Sequence, residues 1–105
     1  MKKKDAINEF TEKIKVLLKE NLMSIRLFGS KARKDANNAS DIDILVEVKS
    51  LNENVWDRIM DIAFEVNLKW EVYISPRIVE ASKFRSLKWR ATPFVQSIEK
   101  EGIML

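Results

Sequence analysis

The run Asp41-Ile-Asp-Ile-Leu-Val-Glu-Val over residues 41–48 constrains this chain more than any other feature. Its β-branched and apolar residues make it the clearest strand in the sequence. Two Asp at its head run against strand propensity. Residues two apart on a strand share a face, so Asp41 and Asp43 point the same way, while Ile42 and Ile44 point to the other face. Like charges this close are unfavourable unless a cation sits between them. Paired carboxylates on a rigid strand suit Mg²⁺, which takes carboxylates together with substrate phosphates. The plain alternative is a pair of solvent-facing turn residues.

The segments around this strand read as a small mixed α/β layer, a β-sheet flanked by helices. Ile7, Phe10, Ile14, Leu17 and Leu18 form one helical stripe across residues 4–20. Residues 24–28 alternate as a short strand that runs into Gly29-Ser30. Residues 31–40 carry Asp35, Asn37, Asn38 and Ser40 and read as a loop. Ser50 and Glu53 have capping-box spacing, and Val55, Ile59, Ile62, Ala63 and Val66 carry a helix to about Leu68. Residues 70–75 read as a third strand stopped by Pro76, and a shorter helical piece covers about 80–90. Thr92 as N-cap with Pro93 after it starts a last helix, which Gly102 ends. No repeat or Pro/Gly-rich linker divides the chain, so one domain over residues 1–105 is expected.

Composition closes several routes. The 105 residues include no His and no Cys, which excludes Ser-His-Asp and Cys-His catalysis, thiol redox chemistry, and zinc sites built on those ligands. No apolar run approaches a membrane span, and no signal-peptide core follows the first lysines, so a cytoplasmic protein is expected. Lys plus Arg number 19 against 16 Asp plus Glu. That balance is not the excess of a dedicated nucleic-acid binder.

Two further features point to phosphate and metal. Gly29 lets the backbone turn sharply after a strand, and Ser30 offers a hydroxyl and an N–H to a phosphate oxygen. This is not a P-loop, because the only other glycine is Gly102. Glu71, read on the third strand opposite Val72 and Ile74, joins the Asp41/Asp43 face if the two strands are neighbours.

Leu27-Phe28-Gly29-Ser30, ten intervening residues, and then Ser40-Asp41-Ile42-Asp43-Ile44-Leu45-Val46 resembles the Gly-Ser-x10-Asp-x-Asp signature of minimal nucleotidyltransferases, in the DNA polymerase beta-like superfamily. Ala32-Arg33, and the tail with Pro93-Phe94, Ile98 and Glu101-Gly102-Ile103, resemble the same small domains. The resemblance implies the polymerase beta-like nucleotidyltransferase fold. It implies two Mg²⁺ ions held by Asp41, Asp43 and, by position, Glu71, with ATP as substrate. Gly29 and Ser30 then hold the triphosphate, with Arg33 and Ser40 beside them. Two departures stand out: the third acid is usually Asp rather than Glu, and Lys34 replaces a frequent Gly.

Many small members of that family are antitoxins encoded beside a HEPN-domain toxin, and some transfer AMP to a Tyr of it. The resemblance therefore implies transfer of NMP, AMP from ATP, to a hydroxyl of a protein partner. A catalytically weak relative that neutralises its partner by binding alone is the alternative, and the homo- or hetero-oligomeric state stays open. Trp56, Trp70, Trp89 and Phe94 are candidates for a partner interface, with ordinary core as the expectation for at least half of them.

Overall fold

The computed structural model describes residues 2–28 and 41–105. Helix α1 spans Lys2–Leu18 and closes with a 3₁₀ turn at Lys19–Asn21. Strand β1 follows at Leu22–Phe28, then β2 at Ile42–Val48. Helix α2 is Glu53–Trp70 and strand β3 is Ile74–Glu80. Short helices α3 (Ala81–Phe84) and α4 (Leu87–Arg90) lead to α5 (Pro93–Glu101) and a two-residue strand, β4 (Ile103–Met104).

The strands form one mixed sheet in the order β3-β2-β1-β4. β1 is antiparallel to both β2 and β4, while β2 and β3 run parallel with Asp43 opposite Ser75 and Leu45 opposite Arg77. A parallel pair needs a long crossover, and α2 provides it. The two faces of β2 are both covered. Ile42, Ile44, Val46 and Val48 pack with Ala6, Phe10 and Ile14 of α1 and with Ile59, Ala63 and Val66 of α2. On the other face Leu45 packs with Phe84, Val95 and Ile98, joined by the flanks of Phe28, Val79 and Trp89. Burial on both faces is why β2 reads as a nearly continuous apolar run.

Glu47 shares the face of Asp43 and Leu45 but is wholly buried. Its carboxylate accepts from Ser24 Oγ at 2.7 Å and from Arg85 Nε at 2.8 Å. Ser24 lies opposite it on β1, and Arg85 follows α3, so one buried charge ties the C-terminal helices to the sheet.

Three boundaries differ from the sequence expectation. The N-cap of α2 is Asn52, whose side chain accepts from the Val55 N–H, and not Ser50. The third strand begins at Ile74 and passes through Pro76 instead of stopping there. This is possible because β3 is an edge strand, where a missing N–H costs no ladder bond. The same edge is blunted at Ile74, whose N–H and C=O both bond the Asn67 side chain, at 2.7 and 3.2 Å. Residues 70–73 are accordingly helix end and connection.

The Thr92 cap and the Gly102 stop are as expected: Thr92 accepts from Val95 N–H, and the Gly102 N–H bonds Ile98 O at 2.7 Å. A Cβ on Gly102 would come within 2.5 Å of that carbonyl oxygen. Its requirement is therefore close approach, not a left-handed backbone.

Removing the partner of a buried carboxylate is costly, although Arg85 is itself half exposed and water can replace part of it. Arg85→Ala is expected to lower the chemical denaturation midpoint, because it leaves the buried Glu47 carboxylate with Ser24 as its remaining partner. An unchanged midpoint would show that the tie to the C-terminal helices is immaterial.

Candidate active site

The sheet alternation fixes what the open end of β2 presents. Asp41 is exposed just before the strand, and Asp43 is partly buried in its second position. Ile42 and Ile44, between and after them, are fully in the core, so the carboxylates share the opposite face as expected. Phe28 on β1 and Ser75 on β3 lie across from Asp43, and Phe28 packs edge-on against Phe94 of α5. One residue pair deeper, Arg77 of β3 shares that face beside Leu45.

The electrostatics follow from this layout. Burial pushes the Asp43 carboxyl above its ordinary value, Arg77 pulls it back down, and the charge of Asp41 raises it again. Burial thus outweighs the pull of Arg77, an exposed cation on the neighbouring strand, at Asp43. Two oxygen donors with excess negative charge fit a divalent cation, since Mg²⁺ characteristically uses one or two carboxylates plus phosphate oxygens.

Glu71 does not join them. It is not on a strand; it is the C-cap of α2, with φ 53° and ψ 47°, in the left-handed region. Its side chain is largely exposed and takes a 2.9 Å bond from Lys2 Nζ of α1, which holds its carboxyl below the ordinary value. Among the described residues no group of three or more Asp, Glu, His or Cys could hold a metal. The expectation failed because Trp70-Glu-Val-Tyr alternates like a strand, whereas α2 continues through Trp70 and turns at Glu71. Gly29, Ser30, Arg33 and Ser40 lie outside the described residues.

Arg77 is the site residue that sequence reading missed. Ending the strand at Pro76 hid it; carrying the alternation on from Ser75 places it on the Asp43 face.

A family model for the nucleotidyltransferase domain matches residues 5–105. The chain belongs to that family. It is 35% identical over 102 residues to "Putative protein adenylyltransferase MJ0141" of Methanocaldococcus jannaschii, covering 94% of each chain. A second relative of that organism, "Putative protein adenylyltransferase MJ0604", is 32% identical across 100% of this chain and 99% of its own length. A third, "Putative protein adenylyltransferase MJ1305", is 40% identical over 70% of this chain but only 52% of its own. Among solved structures, a chain described as "Crystal structure of the toxin-antitoxin with AMP-PNP" matches with TM-score 0.55 and 21% identity. That match covers 90% of this chain and 68% of the other. The likeness is one of fold, and it agrees with the mixed four-stranded sheet and flanking helices of a polymerase beta-like nucleotidyltransferase.

Two substitutions separate the roles of these acids. A raised folded-state pKa means that ionised Asp43 costs stability, from the ordinary value of 3.8 upward and throughout neutral pH. Asp43→Asn is therefore expected to raise Tm at pH 7 slightly, since solvent screening discounts the effect at a carboxyl that is only partly buried. The gain disappears below pH 3.8, where the carboxyl is neutral folded or unfolded. Glu71→Gly, which relieves a left-handed residue while giving up the exposed Lys2 pair, is expected not to lower Tm and to leave Mg-ATP binding intact. Weakened binding would show that Glu71 reaches the site after all.

Proposed function

We propose that this nucleotidyltransferase moves AMP from ATP to a hydroxyl of a protein partner, as antitoxin of a HEPN-domain toxin. The observation that carries the reading is the Asp41/Asp43 pair, set on one face at the open end of β2 and facing Arg77's side of β3. Protein adenylyl transfer is the activity named for relatives that the chain matches end to end. A toxin-antitoxin with AMP-PNP is the setting named for the fold neighbour.

In this reaction the acceptor oxygen bonds to the α-phosphorus of ATP, the α–β phosphoanhydride bond breaks, and pyrophosphate leaves. With no His in the chain, the acceptor proton passes to a carboxylate. Asp41 and Asp43 are the residues to hold Mg²⁺, which when bound supplies positive charge to the triphosphate. Gly29 and Ser30 are proposed to seat the phosphates, with Arg33 and Ser40 alongside. Glu71 does not stand beside them as a third ligand among the described residues, so we assign bound Mg²⁺ to the Asp pair, with Arg77 as the neighbouring cation on that face.

A second reading, neutralisation of the partner by binding alone, is favoured by one fact: Glu71 is engaged with Lys2 and stands apart from the Asp pair. Label transfer from α-phosphate-labelled ATP with Mg²⁺ into source-cell lysate distinguishes the two. A labelled protein band, lost with Asp43→Asn, is the expected result. A folded protein that binds Mg-ATP and labels nothing would support binding alone, and label in the nucleic-acid fraction would move the acceptor to RNA or DNA.

A further inference from the structure

Helix α2 covers the sheet face opposite Asp43 with Ile59, Ala63 and Val66. Part of its outward side departs from the polar face that a solvent-exposed helix normally shows. Trp56, Met60, Phe64 and Leu68 follow one another at four-residue intervals and so form a single ridge. Trp56 is 45% exposed, Phe64 64% and Leu68 67%, with Met60 half-buried. Tyr73, 65% exposed, extends the patch past the end of the helix. Beside Met60, Phe64, Leu68 and Tyr73 runs a groove of about 680 Å³, which reaches Pro76 on β3.

A second ridge runs parallel to the first. Glu53, Asp57, Asp61 and Glu65 are also four residues apart and all exposed. Among the described residues only Glu65 has a cation near it, Lys13 at 4.0 Å. The cations of α2 lie elsewhere: Arg58 lines the crevice against Leu17 and Leu18 of α1, and Lys69 bonds Glu9 at 2.7 Å. A chain of net charge +3 thus presents an apolar ridge flanked by four acids on one helix.

We propose that this face of α2 docks an amphipathic helix of a partner protein whose apolar stripe is flanked by Lys or Arg. The ridge from Trp56 to Leu68 is about 18 Å long, which suits a helix of a little over three turns laid along it. Strand addition at the neighbouring edge is opposed by the Asn67 bonds to Ile74 and by Pro76. A second copy is opposed by charge, because an antiparallel two-fold pairing of α2 sets the two acidic ridges side by side. A basic flank instead meets them with opposite sign.

The surface does not rest on the transfer reading: its ridge residues are all on α2 and include neither Asp41 nor Asp43, although its groove reaches Ser75, which lies across from Asp43. The probes are a synthetic helical peptide with Leu at four-residue intervals and Lys along the flanking row, and its twin with Glu in place of Lys. The Lys peptide is expected to bind the folded chain at least tenfold more tightly than the Glu twin, and Asp57→Lys/Asp61→Lys to reverse that order. Phe64→Ser/Leu68→Ser is expected to abolish binding of either peptide while Mg-ATP binding stays at the wild-type level. Should that pair fail to fold, the charge-reversal variant decides alone, because its substitutions are at exposed positions outside the core. Equal binding of both peptides, or none, would overturn the proposal. So would a dimer in sedimentation that Phe64→Ser/Leu68→Ser dissolves, which would make a second copy the occupant. Loss of Mg-ATP binding in wild-type protein would count against the transfer reading and leave this one standing.

Discussion

Burial of β2 on both faces is the constraint on which the rest of this molecule depends. A strand covered by α1 and α2 on one side and by the C-terminal helices on the other has no solvent-facing row for polar side chains. The polar residues it does carry are resolved in two ways. Glu47, deep in the strand, is bonded by Ser24 and Arg85. Asp43, near the mouth, keeps partial exposure and a shared field with Asp41 and Arg77. The same alternation that builds the core therefore delivers two carboxylates to one edge, where a ligand can supply the missing positive charge.

How the molecule is stapled together follows from Glu47. The C-terminal cluster of Leu45, Phe84, Val95 and Ile98 is small beside the main core. A buried charge-assisted bond adds direction to it, because a carboxylate without its partners would be far costlier than an apolar residue in that place. It holds the helices carrying Phe94 against Phe28, the residue across from Asp43.

Much of this was legible in the sequence, and the failures have physical causes. The 41–48 strand, its facing rule, the α1 stripe, the Thr92 cap and the Gly102 stop are local properties, written in short-range alternation and capping chemistry. The third strand was misplaced because Trp70-Glu-Val-Tyr-Ile-Ser alternates as a strand does, yet α2 is carried on to Trp70 by packing against α1 and the sheet. Pro76 reads as a stop, but at a sheet edge it is harmless. Those two errors put Glu71 on the site face and kept Arg77 off it. Glu47 looks like any solvated Glu until Ser24 and Arg85, 23 and 38 residues away, are seen to meet it. Of the aromatic candidates, Trp70 and Trp89 flank the two cores, while Trp56 stands 45% exposed; no local pattern separates them.

The two faces of the sheet consequently answer to different physics. On the Asp43 side, strand register fixes charge to within a residue, in a partly desolvated corner. On the α2 side the acids are exposed and four residues apart, so they form a row beside the apolar ridge. A domain of this length has little interior to spare for enclosing a macromolecular acceptor, so an outer helical face is where such a partner can be held. The ridge residues of α2 and the carboxylates of β2 stand on different elements, so each set can be substituted without touching the other. The covered β2 strand is what keeps them apart.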